Sequence, residues 1–322
     1  MDTLRIPSIS PELGVRATHS APIIIATDGR AQSDGAMLAG RLFAESADAL
    51  RTVTVFSPIP MIPESPVVVG GEVEEARRIG IQNEVVEQMT RVWDDKSEIE
   101  VLVGDPASAI AEVAHRSGAT MIVAGLGRHR VADRIFGDET ALRLIRLADV
   151  PVFAAAEGLT HAPHRIVVAC DFSETSLRAA RLTLELASPR ATIYLTHVAP
   201  RDSAKYDTEG WGREYRQEAG GALKNTRQQL RVPKDMTVQN VLLQGDPATE
   251  LLAFATSVKA DLIATGSHGH GFITRLIVGS VASRILRGAP CSVLTIPYAA
   301  AMTDVRTTAD TPVFPGIGFV NR

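Results

Sequence analysis

The chain repeats itself. IIIATDGRAQSDGAMLAGRLFAESA, beginning at Ile23, has a counterpart in IVVACDFSETSLRAARLTLELA at Ile166, an offset of 143. VLVGDPASAIAEVA, ending at Ala114, returns as VLLQGDPATELLAFA ending at Ala255, and GATMIVAG ending at Gly125 returns as KADLIATG ending at Gly266, an offset of 141 in both cases. DVPVFAAA at Asp149 to Ala156 matches APCSVLTI at Ala289 to Ile296, an offset near 140. Four blocks in one order at near-constant spacing mean a duplicated domain, because solenoid repeats run at about 20 to 50 residues. With 322 residues, each half is large enough to bury its own core.

Within each half, short β-rich runs alternate with stretches of helical period, the pattern of parallel strands joined by crossover helices. In the second half, strands are predicted near 165–170, 191–198, 237–243, 261–265 and 291–296. Leu177, Ala180, Leu184 and Leu252, Ala255 keep the spacing of helices packed on a sheet. Asp105-Pro106 and Asp246-Pro247 each set a carboxylate before a proline, which marks a helix start. The first domain is read over 21–157, a linker over 158–163 and the second domain over 164–298, with loose tails at 1–20 and 299–322.

Composition narrows the partners. A formal charge of −4 offers no basic field for a phosphate backbone, so nucleic acid is not an expected partner. The longest apolar runs fall far short of the ~18 residues needed to cross a bilayer, so no membrane is expected either. The first residues lack the apolar stretch of a signal peptide, and a cytosolic product is expected. Cys170 and Cys291 lie in apolar strand-like runs and read as small buried hydrophobes.

In an open parallel sheet, ligands bind beyond the carboxyl ends of the strands, where the winding reverses. The first strand of the second half ends at Asp171, followed by Ser173, a helix cap, and Glu174. The fourth ends at Gly266 and opens GSHGHGFITRLIVGS, in which Gly266, Gly269 and Gly279 follow G-x2-G-x9-G with Ser280 directly behind. Glycines let the backbone approach closely, and a following helix start offers unpaired amides, together the makings of a phosphate cradle. The Asp171 carboxylate suits ribose hydroxyls or a base amine. Against this stands a plainer reading, in which the glycines only turn the chain and Asp171 and Ser280 only cap helices.

ACDFSET, the strand end THV at Thr196 to Val198, and the glycine motif closed by Ser280 resemble the ATP-binding branch of the universal stress protein family, tandem type, over roughly 21–157 and 164–298. The resemblance implies two tandem doubly wound five-stranded parallel sheets of the adenine nucleotide alpha hydrolase-like class, strand order 3-2-1-4-5. It places Asp171 toward adenosine, Val198 against the base, and Gly266, Gly269, Gly279 and Ser280 around the phosphates of ATP, bound alone or with Mg2+. It also implies antiparallel pairing of the fifth strands, here Val152 to Ala154 with Val293 to Thr295, as a pseudo-dimer within the chain that could in turn form a homodimer. Such pairing removes two exposed edges.

The first half departs from the motif. Its loop reads GLGRHRVADRIFGDET: Gly125 and Gly127 stand one residue apart instead of two, Gly137 keeps the nine-residue gap, and Asp138 replaces Ser280. A carboxylate beside a phosphate is a like charge, worth about 4 kcal/mol at ~4 Å and an effective dielectric near 20. The first site is therefore expected to be weak or empty, although Arg128, Arg130 and Arg134 offset part of the repulsion, Asp28 is retained, and Phe56 sits near the place of Val198. His268 and His270 lack the further ligands of a metal site, and no P-loop lysine or nucleophile elbow occurs. His115 and His197 read as structural. The expected function is regulatory ATP binding without efficient catalysis; the alternatives are a slow ATPase or phosphotransfer enzyme using His268 or His270, and an interaction scaffold without nucleotide.

Overall fold

A computed structural model describes residues 21–44, 46–57, 71–93, 99–126, 138–200, 211–267 and 279–300. The first unit runs β1 (Ile23–Ala26), α1 (Asp34–Phe43), β2 (Leu50–Phe56), α2 (Gly71–Trp93), β3 (Ile99–Val103), α3 (Pro106–Arg116), β4 (Met121–Gly125), α4 (Asp138–Leu147) and β5 (Val152–Ala155). The second runs β6 (Arg165–Ala169), α5 (Glu174–Leu186), β7 (Thr192–Ala199), α6 (Trp211–Gln228), β8 (Thr237–Gln244), α7 (Pro247–Ser257), β9 (Leu262–Gly266), α8 (Ser280–Gly288) and β10 (Ser292–Ile296). The central strands β1, β4, β5 and β10 are short and fully buried, as strands covered by helices on both faces must be, while the outer strands β3 and β8 carry polar residues and are part-exposed.

One sheet holds all ten strands, in the order β3-β2-β1-β4-β5-β10-β9-β6-β7-β8. Each half is thus a 3-2-1-4-5 sheet, parallel throughout. The halves meet where β5 and β10 pair antiparallel, Val293 opposite Ala154, Leu294 opposite Phe153 and Thr295 opposite Val152. Among the described strands, that joint leaves β3 and β8 as the outer edges of the sheet. The repeat is exact in register: Ile23 lies beside Leu50 and Met121, and Ile166 beside Ile193 and Leu262.

Alternation along the strands divides the core in two. Ile24, Val53 and Val55 face Ile110 and Val113 of α3, and across the joint the same layer takes in Val198, Leu251 and Ala255. Ile23, Ile25 and Leu50 face Met37, Val85 and Met89 of α1 and α2, with Ile166, Ala180 and Leu223 in the second unit.

The helix starts behave as their sequence requires. Asp105 accepts from the Ser108 amide at 3.1 Å and Asp246 from the Thr249 amide at 3.0 Å, each just ahead of a first-turn proline. Each carboxylate is also gripped by an arginine 38 residues on, Arg143 at 2.7 and 2.8 Å and Arg284 at 2.9 Å. The Arg284 guanidinium, with the Thr249 hydroxyl and amide, holds the Asp246 carboxyl well below its usual range. These staples tie α3 to α4 and α7 to α8 in the same way.

Candidate functional site

Asp171 leaves the carboxyl end of β6 and Gly266 closes β9, its hydrogen-bonded neighbour. The chain turns sharply after the aspartate because Phe172 adopts a left-handed conformation, φ 65°, which costs a residue with a side chain about 1–2 kcal/mol. Asp171 Oδ1 holds that turn, accepting from the Ser173 amide at 3.1 Å and the Ser173 hydroxyl at 2.5 Å. Ser173 Oγ in turn accepts from the Ser176 amide at 3.3 Å and caps α5. Asp171 is therefore a turn-former through Oδ1, and among the described residues no hydrogen bond reaches Oδ2.

Gly266 owes its identity to packing. A methyl group there would run into the Thr175 hydroxyl and stand 2.7 Å from Thr175 Cβ, so only glycine lets the start of α5 close onto β9. Beyond it, the Ser267 amide donates to the Ile296 carbonyl at 2.8 Å and the Gly279 amide to the Ser267 carbonyl at 2.7 Å. Gly279 is thus the stitch that returns the chain to β9, and its amide is spent inward. The bonding ladder of α8 begins with Ser283 donating to Gly279 at 3.0 Å, so the amides of Ser280, Val281 and Ala282 precede it without helical acceptors. Ser280 is exposed at their head. Gly269 lies outside the described residues, as do Gly127, Gly137, Arg128, Arg130, Asp133, Arg134, His268 and His270.

Val198 is 9% exposed and faces α7. One residue earlier, His197 faces the opposite layer, where it is buried among aromatic groups absent from the sequence reading. Its Nδ1 donates to the Cys170 carbonyl at 2.8 Å, Nε2 accepts from the Tyr215 hydroxyl at 2.9 Å, and the Phe172 ring stacks on it at 4.5 Å. Burial pushes its pKa below the ordinary histidine value, opposed by the Cys170 carbonyl and the Asp171 charge. The Cys170 thiol, buried beside it, is pushed up to about 11 and is no nucleophile. His115, on α3, forms a surface pair with Asp149 at 2.6 Å. Both histidines have structural partners.

A histidine whose pKa is lowered on folding leaves the folded state with fewer protons than the unfolded chain, whose histidines titrate near ~6.5. Its stability contribution is then present above that pH and lost as pH falls below it. Thermal unfolding between pH 7.5 and 5 should show a steeper loss for the wild type than for His197→Gln, and superimposable pH profiles would remove His197 as the responsible group.

The first unit carries the same frame with other side chains. Asp28 Oδ1 accepts from the Arg30 amide at 3.2 Å and the Ser33 hydroxyl at 2.8 Å. Gly29 takes the left-handed position, φ 79°, that Phe172 occupies in the repeat. Gly125 ends β4 against Ser33, whose Cα and Cβ would stand 3.3 Å from an added methyl. Asp138 opens α4 as Ser280 opens α8. One sequence correspondence shifts by a residue. The register Ile23–Leu50 and Ile166–Ile193 puts Val55 in the place of Val198 and Phe56 in that of Ala199, because the two loops before β2 and β7 keep the same offset as β1 and β6.

A family model described as the universal stress protein family matches residues 20–155 and again 163–297. The chain belongs to this family. Among curated relatives, a universal stress protein of Mycobacterium tuberculosis is 29% identical over 279 residues, 77% of this chain and 86% of that one. A second, from Methanocaldococcus jannaschii, is 31% identical over 138 residues, 41% of this universal stress protein and 81% of its own length. Among solved structures, a universal stress protein from Archaeoglobus fulgidus aligns over 85% of this chain and 95% of its own with a TM-score of 0.54 at 17% identity. That likeness concerns the fold. No described helix is long and apolar enough to cross a membrane.

Proposed function

We propose that this universal stress protein binds ATP in its second unit and uses the nucleotide as a regulatory ligand in the cytoplasm, without efficient turnover. One observation carries the reading: among the described residues, the second carboxylate oxygen of Asp171 and the opening amides of α8, which have no helical acceptors, headed by the Ser280 hydroxyl, stand at the carboxyl ends of β6 and β9, which are paired neighbours. The amides and the positive end of the helix suit phosphate oxygens. Asp171 suits the ribose or base, and Val198 gives the base an apolar wall. Gly269 would complete the phosphate loop, while Gly266 contributes by letting α5 close onto β9 and Gly279 by tying the head of α8 to the end of β9. Any Mg2+ would be held by the phosphates, since among the described residues no three His, Cys, Asp or Glu side chains gather around one point. In the first unit Asp28, Gly125, Gly127, Gly137 and Asp138 form the degenerate counterpart.

A ligand that binds only the folded chain stabilises it by RT ln(1 + [L]/Kd), about 2.7 kcal/mol at a hundredfold excess over Kd, which gives regulation without chemistry. Denaturing the purified protein and identifying released nucleotide by chromatography, with calorimetric titration of the emptied chain, should give one ATP site per chain. Two equivalent sites, or no ATP-dependent heat and no melting shift, would refute the reading.

A further inference from the structure

β8 forms the outer edge of the second unit. It bonds to β7 through alternate residues: the Thr237 amide donates to the Ala191 carbonyl at 3.0 Å and the Gly245 amide to the Ala199 carbonyl at 2.9 Å. In a parallel ladder the amide and carbonyl of one residue point to the same side. The odd-numbered residues therefore face β7, while Val238, Asn240 and Leu242 turn theirs outward, where no described strand lies. The strand reads TVQNVLLQ. It holds no charge and no proline, the devices with which an edge strand ordinarily turns away a further strand.

The charge stands beside the strand instead. α6 packs on the face of the sheet that carries Val238, with Ala219, Leu223 and Thr226 buried beneath it. The crossover from β7 through α6 to β8 is right-handed, and a helix advances about 100° per residue. The residues one step past Tyr215, Ala219, Leu223 and Thr226, namely Arg216, Gly220, Lys224 and Arg227, therefore lie along the side of α6 that overhangs the edge of β8. Arg213 joins them, and Glu214 and Glu218 fall on the opposite flank. Arg213, Arg216, Lys224 and Arg227 are exposed and, among the described residues, enter no ion pair. A methyl on Gly220 would meet nothing within 4 Å, so this glycine, costly inside a helix, is not required by the chain's own packing. In the first unit Val85 and Gln88 face the sheet as Leu223 and Thr226 do, which puts Glu75 and Arg78 in the places of Arg213 and Arg216. Those two bridge each other at 2.7 Å, so the flank beside β3 is neutralised.

We infer that the outer edge of β8 receives an extended acidic segment of a partner protein as a further strand, its carboxylates at alternate positions directed to the basic flank of α6. The outward amides and carbonyls of Val238, Asn240 and Leu242 supply the main-chain pairing, and side-chain charge supplies the selection. The dimensions agree: Arg213 to Arg227 covers about 21 Å of helix axis, and the eight residues of β8 cover about 26 Å of strand. Successive side chains of an added strand point to opposite faces. Only every second one meets the arginines, and those between lie on the face of Val241 and Leu243, where Glu250 stands against Gly245 at the strand's end and an uncharged residue fits better. A second copy of this chain is a poor occupant, because edge-to-edge pairing about a two-fold axis would set the basic flank against itself. The surface lies at the sheet's outer edge and uses none of the residues proposed to hold nucleotide.

The test uses the full chain and a capped peptide in which glutamate alternates with valine and threonine. One control peptide carries lysine for glutamate, and a second keeps the glutamates but is N-methylated at alternate backbone amides. The acidic peptide should bind saturably and slow amide hydrogen exchange at Asn240 and Leu242, leaving Val241 and Leu243, already bonded to β7, unchanged. Arg216→Glu combined with Arg227→Glu should weaken it about tenfold or more, as attractions at an exposed surface turn into repulsions. Asn240→Pro, which removes an amide that β7 does not use, should abolish binding and spare the fold. No saturable binding, equal binding of the lysine or the N-methylated peptide, or protection confined to residues away from β8 would overturn the inference. So would a single-stranded oligonucleotide of equal charge that binds as tightly, which would mark a general polyanion surface, or a dimer that protects the same amides without peptide. The peptide comparisons use the wild type and stand even where a variant fails to fold.

Discussion

Replacing Ser280 with aspartate is expected to weaken ATP binding by about three decades. The substitution sets a carboxylate at the head of α8, where the amides of Ser280, Val281 and Ala282 have no helical acceptors and where the phosphates are proposed to lie. A like-charge pair at ~4 Å and an effective dielectric near 20 costs about 4 kcal/mol, and each 1.4 kcal/mol is a tenfold change in Kd. Calorimetric titration reads the effect directly, and thermal unfolding without nucleotide controls for folding, since aspartate is also a favourable residue at a helix N-terminus. An affinity within a few fold of wild type would mean that the phosphates sit elsewhere. Asp138→Ser in the first unit is the reciprocal exchange, expected to lessen repulsion at the head of α4.

Phe153→Ala is expected to destabilise the whole chain by about 3–5 kcal/mol, the usual cost of emptying a buried phenylalanine site. Phe153 is fully buried at the centre of β5, sits opposite Leu294 of β10, and meets Phe43 of α1 edge-on at 4.9 Å. Its ring therefore belongs to both the first unit's core and the joint between units. Urea unfolding followed by circular dichroism would report the loss. A cost below about 1 kcal/mol would show that neighbouring side chains close the cavity, and that the joint is less tightly packed than its register suggests.

The fold was legible because duplication wrote every element twice. The five second-unit strands read from sequence fall within a residue or two of the observed ones, and Asp105 and Asp246 cap the helices their prolines announce. The fifth-strand joint was expected from the family resemblance, and the removal of two exposed edges supplies its physical reason. Less legible was the division of labour among the glycines. Gly266 and Gly279 signalled a close backbone approach, but the neighbours they approach are Thr175 and the Ser267 carbonyl, which spacing alone does not identify. The aromatic group of Phe172, His197 and Tyr215 is assembled from a turn, a strand end and a helix. Its one local trace was the exchange of Gly29 for Phe172, a side chain placed where backbone geometry asks for glycine.

The antiparallel seam between β5 and β10 has a geometric consequence. All described strands of one unit run opposite to all those of the other, so the carboxyl rims at which ligands are proposed to sit point toward opposite poles of the sheet. Molecules seated at the two poles do not compete for room. A macromolecule reading one pole would leave the other open, so two inputs could be held at once and could influence each other only through the shared strands between them.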